Sequence, residues 1–190
     1  MKIQKREIFS IPNVLGYIRI LLIPLFVWRY LTAQSGADYY TAAGIVLLSG
    51  LTDLFDGLIA RRFHMITELG KVLDPIADKL TQAAIVFCLM FRVRWMVWLV
   101  LLFVIKECYM GVANLVVMRR GRRLNGAEWF GKICTAVFYV VMFLMIALPG
   151  LGEPWKNAMM LICAAFMVLS LVLYIPVFVR LYRGERKAGG

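Results

Sequence analysis

Four aspartates stand close together in an otherwise apolar part of the chain. Asp53 and Asp56 are three residues apart, Asp74 and Asp78 are four apart, and all four fall within 26 residues. Residues at these spacings share one face of a helix, so two neighbouring antiparallel helices would bring the four carboxylates to one point. Oxygen ligands suit Mg²⁺ or Mn²⁺, and two such ions can clamp a phosphoryl or pyrophosphoryl group. The sequence therefore predicts a site for two divalent ions with all four aspartates as ligands.

Small residues and a cation accompany the first aspartate pair. Gly57 and Ala60 follow on the same helix face and leave room for a ligand to approach the backbone. Arg61 comes next, where it can bind a phosphate oxygen. The alternative is that the aspartates form only structural ion pairs, with Arg61, Lys71 and Lys79 as partners. Four acidic groups on two short helix faces favour the metal site over this alternative.

The elements that hold these residues are expected to be membrane helices. Hydrophobic residues make up 62% of the chain, whereas a soluble domain contains about 45–50% apolar residues. Apolar runs of roughly 20 residues, the length that crosses a bilayer, occupy residues 14–31, 39–60, 75–91, 95–118, 133–148 and 158–179. We therefore expect an all-α integral membrane protein, a six-transmembrane-helix bundle that forms a single domain over residues 1–190.

The boundaries of this bundle also have sequence signals. Residues 1–12 form an N-terminal segment that is either an interfacial helix or a basic tail, and residues 180–190 form a basic tail. The dipeptide Asp74-Pro75 predicts the start of the third helix, with Asp74 as its N-cap.

The positive charge of the chain sets its expected orientation. The net charge is +11, and the basic residues gather between the apolar runs and at both ends. Fifteen of them would lie on one side of the membrane and three on the other, which places both termini and the aspartates at the cytoplasmic face. This distribution suits anionic lipid head groups rather than nucleic acid. The four cysteines are too far apart for a zinc site, and His64, the one histidine, is expected to be a solvated loop residue.

The acidic stretch resembles the signature of the CDP-alcohol phosphatidyltransferase family, D-x2-D-G-x2-A-R-x8-G-x3-D-x3-D. All eight fixed positions match without a gap: Asp53, Asp56, Gly57, Ala60, Arg61, Gly70, Asp74 and Asp78. The resemblance implies a helix bundle around a polar cavity that opens to the cytoplasm, usually within a homodimer. It also implies an enzyme that uses CDP-diacylglycerol as donor and releases CMP by direct attack of an acceptor hydroxyl.

The resemblance further implies roles for the motif residues. Asp53, Asp56 and Asp74 would bind the metal ions, and Asp78 would be the general base and a further ligand. The small residues and the arginine would face the cytidine diphosphate part of the donor: Gly57, Ala60 and Arg61.

The acceptor alcohol is suggested by residues outside the motif. The run Ile11-Pro12-Asn13-Val14-Leu15, Arg19 and Pro24 resemble the start of phosphatidylglycerophosphate synthases, as does Gly131-Lys132 with Thr135. Their acceptor, sn-glycerol 3-phosphate, would need fixed cations, for which Lys106, Lys132 and Arg19 are the candidates. Arg19 lies inside the first apolar run, so it either reaches outward to lipid head groups or points at a phosphate.

Two departures leave the acceptor open. Those synthases usually have arginine where Lys106 precedes Glu107, and often a lysine where this chain has Cys134. A weaker phosphate site would fit a cardiolipin synthase of the same family, with phosphatidylglycerol as acceptor. A membrane protein that carries metal or lipid without catalysis is the third interpretation, and the intact motif argues against it. A secondary transporter is also disfavoured, because the polar groups gather at one membrane face rather than at the midplane.

Overall fold

The structure is a computed structural model that describes residues 10–63, 65, 67, 69–122 and 128–184, and every regular element within them is an α-helix. The helices in that part are α1 (Ile11–Leu31), α2 (Gly36–Arg62), α3 (Gly70–Met90), α4 (Met96–Arg119), α5 (Trp129–Ala147) and α6 (Glu153–Arg183). The predicted all-α fold is therefore confirmed. Residues 1–9 and 185–190, which include most of the predicted N-terminal segment and tail, lie outside the described residues.

Five of these helices are long and apolar enough to cross a bilayer: α1, residues Gly36–Ala60 of α2, α4, α5 and α6. The helix that falls outside this set is α3, because Asp74, Asp78 and Lys79 lower the apolar character of its 21 residues. The protein is thus an integral membrane protein by length and composition of its helices, and a sixth span at α3 stays a prediction.

The predicted start of the third helix is wrong by five residues. The helix begins at Gly70, so Pro75 lies inside it and Asp74 is not its N-cap. The backbone N–H of Gly70 donates to the Thr67 hydroxyl at 2.9 Å, which satisfies one of the donors that a helix start leaves open. Pro75 is the sixth residue of the helix, so its missing N–H leaves one hydrogen bond of the helix unmade.

The end of α6 also differs from the expected boundary. The helix continues through Arg183, so the first four residues of the predicted tail are helical. Gly184 ends it with φ 87°, a left-handed conformation that glycine adopts without steric cost.

The described residues form two compact units, one within residues 1–92 and 142–150 and the other within residues 93–141 and 151–190. In the first unit α1 packs against both α2 and α3. Its core contains small residues that allow close helix approach, Ala42, Ala43 and Ala77. In the second unit α4 packs against α6, around a buried cluster of Val117, Tyr174 and Phe178.

A hydrogen-bonded corner joins the end of α1 to the start of α2. The Asp38 carboxylate accepts from the backbone N–H groups of Gln34 and Ser35, each at 2.9 Å. Arg29 donates to the other Asp38 oxygen at 2.6 Å. These contacts fix the turn between the two helices.

Candidate active site

Arg19 on α1 lies against the first aspartate pair on α2. Its Nη1 is 2.7 Å from Oδ1 of Asp53, and its Nη2 donates to Oδ2 of Asp56. The Arg19 side chain is 1% exposed, that of Asp56 4%, and that of Asp53 52%. Arg19 therefore turns inward to the carboxylates rather than outward to lipid head groups. The first pair consequently has one buried member and one that remains accessible.

The second aspartate pair lies on α3, in the same unit. Oδ2 of Asp78 accepts from Nε2 of Gln82 at 3.0 Å. Oδ1 of Asp74 is buried and has no hydrogen-bond partner within the described residues. The charge of Arg19 acts on Asp53, Asp56 and Asp74, and the charge of Asp78 acts on Asp53. Arg19 thus contacts the first pair directly and acts electrostatically on Asp74 as well.

The donor set fits a hard divalent cation. Within the described part of the chain no three carboxylate, histidine or cysteine side chains are close enough to hold one ion together. The meeting of four carboxylates at one metal site therefore stays a prediction, and Arg19 supplies positive charge beside the first pair. The buried, unpartnered Oδ1 of Asp74 and the accessible carboxylate of Asp53 are the kind of oxygen donors that Mg²⁺ and Mn²⁺ prefer.

A polar contact between α1 and the start of α3 was not predicted. Asn13 is fully buried, and its Oδ1 accepts from the Thr67 hydroxyl at 3.0 Å. A Cβ at Gly70 would lie 2.9 Å from Oδ1 of Asn13 and 2.9 Å from the Thr67 hydroxyl. The motif glycine is therefore required by packing, and its presence in the motif was the available signal for a close approach here.

Gly16 allows a second close approach between α1 and α3. A Cβ at Gly16 would lie 2.8 Å from Cδ2 of Leu73 and 3.7 Å from Oδ1 of Asp74. The absence of a side chain at Gly16 therefore lets α3 place Asp74 next to α1. Sequence reasoning missed this role, because a glycine inside an apolar helix has many explanations.

The remaining motif residues lie on the last turns of α2. Gly57 and Ala60 are partly buried, and they lie five and two residues, respectively, before the helix end at Arg62. Arg61 belongs to the helix, but its side chain lies outside the described residues, as does His64.

The predicted acceptor cations Lys106 and Lys132 belong to the second unit. Lys106 is buried on α4, and its Nζ donates to Oε1 of Glu107 at 2.7 Å. Lys132 is exposed in the first turn of α5. The structure thus gives Lys106 a fixed anionic neighbour and leaves the Lys132 side chain accessible.

Tyr174 on α6 is a further residue that sequence reasoning missed. It is 4% exposed, and its hydroxyl occupies the place where a Cβ at Gly131 would lie. The Tyr174 ring also packs edge-on against Phe130, with 4.7 Å between ring centroids. The start of α5, which carries Lys132, is therefore held against α6 by an aromatic contact that only glycine at position 131 permits.

Aspartates beside a buried arginine, held by apolar helices, are features suited to a class of membrane proteins that carry out phosphoryl chemistry. The family model for CDP-alcohol phosphatidyltransferases matches residues 9–173, and the chain belongs to that family. The prediction of a transferase of phospholipid biosynthesis is thereby confirmed at the level of the family, which uses CDP-diacylglycerol and an alcohol acceptor.

Individual relatives have names of two kinds, phosphatidylglycerophosphate synthases and cardiolipin synthases. A probable phosphatidylglycerophosphate synthase of Mycobacterium tuberculosis is 32% identical over 94% of this chain and 85% of its own length. The CDP-diacylglycerol–glycerol-3-phosphate 3-phosphatidyltransferase of Escherichia coli K12 is 29% identical over 88% of this chain and 93% of its own length. A CMP-forming cardiolipin synthase of Streptomyces coelicolor is 30% identical over 80% of this chain and 71% of its own length.

Proposed function

We propose that the protein transfers the phosphatidyl group of CDP-diacylglycerol to the hydroxyl of sn-glycerol 3-phosphate and releases CMP. The observation that carries this proposal is the placement of three motif aspartates against α1, where Arg19 contacts Asp53 and Asp56 and Gly16 leaves space for Asp74. Two of the relatives have names that describe this activity or its product, and they cover most of the chain. The acceptor is thus inferred from relatives, whereas the chemistry is inferred from the site.

The family generally depends on a divalent metal, and the four aspartates are its proposed ligands here. Two ions, Mg²⁺ or Mn²⁺, would supply positive charge at the pyrophosphate and at the departing CMP. Arg19 lies beside the same carboxylates, and its buried Nε lacks a hydrogen-bond partner among the described residues. We therefore assign Arg19 to balance the charge of Asp53 and Asp56 and to donate to a phosphate oxygen.

Asp78 is the proposed general base. The amide of Gln82 holds one oxygen of its carboxylate at 3.0 Å, which fixes the plane of the group. The acceptor hydroxyl oxygen attacks the phosphatidyl phosphorus while its proton passes to Asp78, and the bond from phosphorus to the CMP oxygen breaks. Gly57, Ala60 and Arg61 would bind the cytidine diphosphate part of the donor.

The acceptor phosphate requires cations of its own. Lys132 is accessible at the start of α5, and Lys106 is buried on α4, so these two lysines are the proposed contacts. The sequence also predicts Arg19 as a contact of the acceptor phosphate. Its two ion pairs favour a role at the donor phosphates instead.

A cardiolipin synthase that uses phosphatidylglycerol is the second candidate function. The Streptomyces coelicolor relative favours it, as does the pairing of Lys106 with Glu107, which reduces the positive charge available to a free phosphate.

The distribution of basic residues along the sequence supports a location of both termini and the site at the cytoplasmic face of a bacterial plasma membrane. The active protein is proposed to be a homodimer, as the resemblance implies.

The experiment that tests this function is CMP release by the purified protein with CDP-diacylglycerol and Mg²⁺. The acceptors are offered separately: glycerol 3-phosphate, phosphatidylglycerol, inositol 1-phosphate and serine. We expect activity with glycerol 3-phosphate and loss of it on chelation of the metal. Activity with phosphatidylglycerol alone would establish the second candidate, and no release with any acceptor would contradict both.

A further inference from the structure

A groove of about 380 Å³ lies between the start of α4 and the start of α6, inside the second unit. Its volume falls within the range of about 300–1,000 Å³ that is usual for ligand sites. The walls are mostly apolar and include Trp95 and Trp98 on one side and Leu161 and Ala164 on the other. A groove of this kind on a membrane helix pair suits a hydrocarbon chain.

The two tryptophans indicate the depth of the groove in the bilayer. Trp95 is 50% exposed and Trp98 63% exposed, and both stand at the beginning of a membrane helix. Tryptophan is enriched where the hydrocarbon core meets the head groups, because its ring is apolar and its N–H is polar. The mouth of the groove therefore lies at the level of lipid phosphates and glycerol groups.

Two cationic residues, Arg94 and Lys156, are the chain neighbours of the lining residues Trp95 and Asn157. The Arg94 guanidinium lies over the Trp95 ring, 5.6 Å from its centroid. Lys156 precedes the lining residue Asn157 in the chain. Its Nζ is 3.1 Å from Oε1 of Glu153, and the Glu153 side chain is exposed. Because exposed ion pairs of this kind contribute little to stability, Lys156 can exchange Glu153 for a phosphate.

Asn157 supplies the second polar feature. It lines the groove, and its Oδ1 is buried without a hydrogen-bond partner among the described residues. A buried acceptor without a donor is costly, and a ligand that carries a hydroxyl would relieve that cost.

We propose that this groove binds one anionic phospholipid with a hydroxylated head group, at a site separate from the catalytic aspartates. One acyl chain lies along Trp98 and Ala164, the phosphate lies between Arg94 and Lys156, and a head-group hydroxyl donates to Asn157. The site does not depend on the acceptor assigned above. A zwitterionic phospholipid would leave the two cations without a net negative partner and would bind more weakly.

The test is lipid titration of the purified full-length protein by native mass spectrometry, with phosphatidylglycerol and phosphatidylcholine of identical chains. Two cations near a phosphate predict about 30-fold tighter binding of phosphatidylglycerol. R94Q combined with K156Q should reduce this preference to near equality. R180Q combined with R183Q removes the same charge from the far end of α6 and should leave it unchanged.

A second variant tests the cavity rather than the charge. Ala164→Phe fills the groove and should abolish the bound phosphatidylglycerol, whereas Ala158→Phe on the exposed face of the same helix should not. CMP release near the wild-type rate verifies that each variant is folded. Equal affinity for the two lipids, or retention of the lipid by Ala164→Phe, would overturn the proposal. Conversion of a dimer to a monomer by Ala164→Phe, with lipid preference unchanged, would assign the groove to a second copy and overturn it too.

Discussion

Arg19 and Asp56 form a buried ion pair that joins α1 to α2 across 37 residues of sequence. The pair lies inside the unit that holds all four motif aspartates, and Arg19 also contacts Asp53. A buried arginine without its partners would be strongly destabilising, so the ion pairs and the fold of this unit depend on each other.

Replacement of Arg19 by glutamine is expected to lower stability when metal is chelated. Removal of one partner from a buried pair typically costs about 3–5 kcal/mol, because Asp56 would be left buried and uncompensated. Mg²⁺ should restore part of the loss, since the ions would supply the missing positive charge. Thermal unfolding in EDTA and in Mg²⁺ measures both effects.

Arg29→Gln is the matched control for this prediction. Arg29 lies on the same helix and pairs with Asp38, but both side chains are partly exposed, at 31% and 19%. Ion pairs of that kind typically contribute about 0.2–1 kcal/mol. Equal losses in the two variants, with or without metal, would mean that Arg19 has no special relation to the aspartates.

Asp78→Asn is expected to reduce the rate of transfer by about 10²–10⁴-fold, the usual contribution of a general base. Binding of CDP-diacylglycerol should be retained, because three proposed metal ligands remain. Asp56→Ala should instead remove both donor binding and activity. Single-turnover CMP release and equilibrium donor binding separate the two behaviours. Near wild-type turnover by Asp78→Asn would exclude Asp78 as the base.

Gly16→Val is expected to lower kcat, because its side chain would displace Leu73 and, with it, Asp74. A misplacement of roughly 1 Å at a reacting group can cost about 100-fold in rate. Gly44→Val on α2 is the control, since nothing lies within 4 Å of the corresponding Cβ position. Similar activity in the two valine variants would show that the close approach of α1 and α3 is not needed for catalysis.

Gly131→Ala is expected to destabilise the second unit by about 1–3 kcal/mol, the usual cost of overpacking. Tyr174→Phe in the same chain should recover part of the loss, because the hydroxyl is the nearest atom, while the ring carbon beside it, at 3.1 Å, remains. Gly111→Ala, with open space around its Cβ position, should not destabilise. A double-mutant cycle on unfolding free energy measures the coupling, and strict additivity would contradict the contact.

The aspartate positions were predictable because their spacing is a local property. Residues three and four apart share a helix face whatever the tertiary structure, so α2 and α3 carry the pairs as expected. The contribution of α1 was not predictable in the same way. That Arg19 meets Asp53 and Asp56 depends on how three helices pack, and no spacing along the chain encodes that distance.

The start of α3 shows how a local rule can give the wrong boundary. Asp74 and Pro75 are typical of a helix start, but the helix begins at Gly70, where Thr67 accepts a backbone N–H and Asn13 holds Thr67 in turn. The decisive partner, Asn13, is 54 residues away from Thr67. The Gly131 and Tyr174 contact was missed for the same reason.

The polarity of α3 has a consequence for biogenesis. A single carboxylate or ammonium at the centre of a bilayer costs about 2.5–3.5 kcal/mol during insertion, and α3 carries Asp74, Asp78 and Lys79. For α3 to cross the membrane, it has to leave the insertion machinery together with helices that already cover its polar side. The helix that packs against both α2 and α3 is α1, which is synthesised first and carries Arg19. Nascent chains should therefore retain α1 and α2 beside the translocon until α3 has emerged, and site-specific crosslinking of stalled chains would detect that delay.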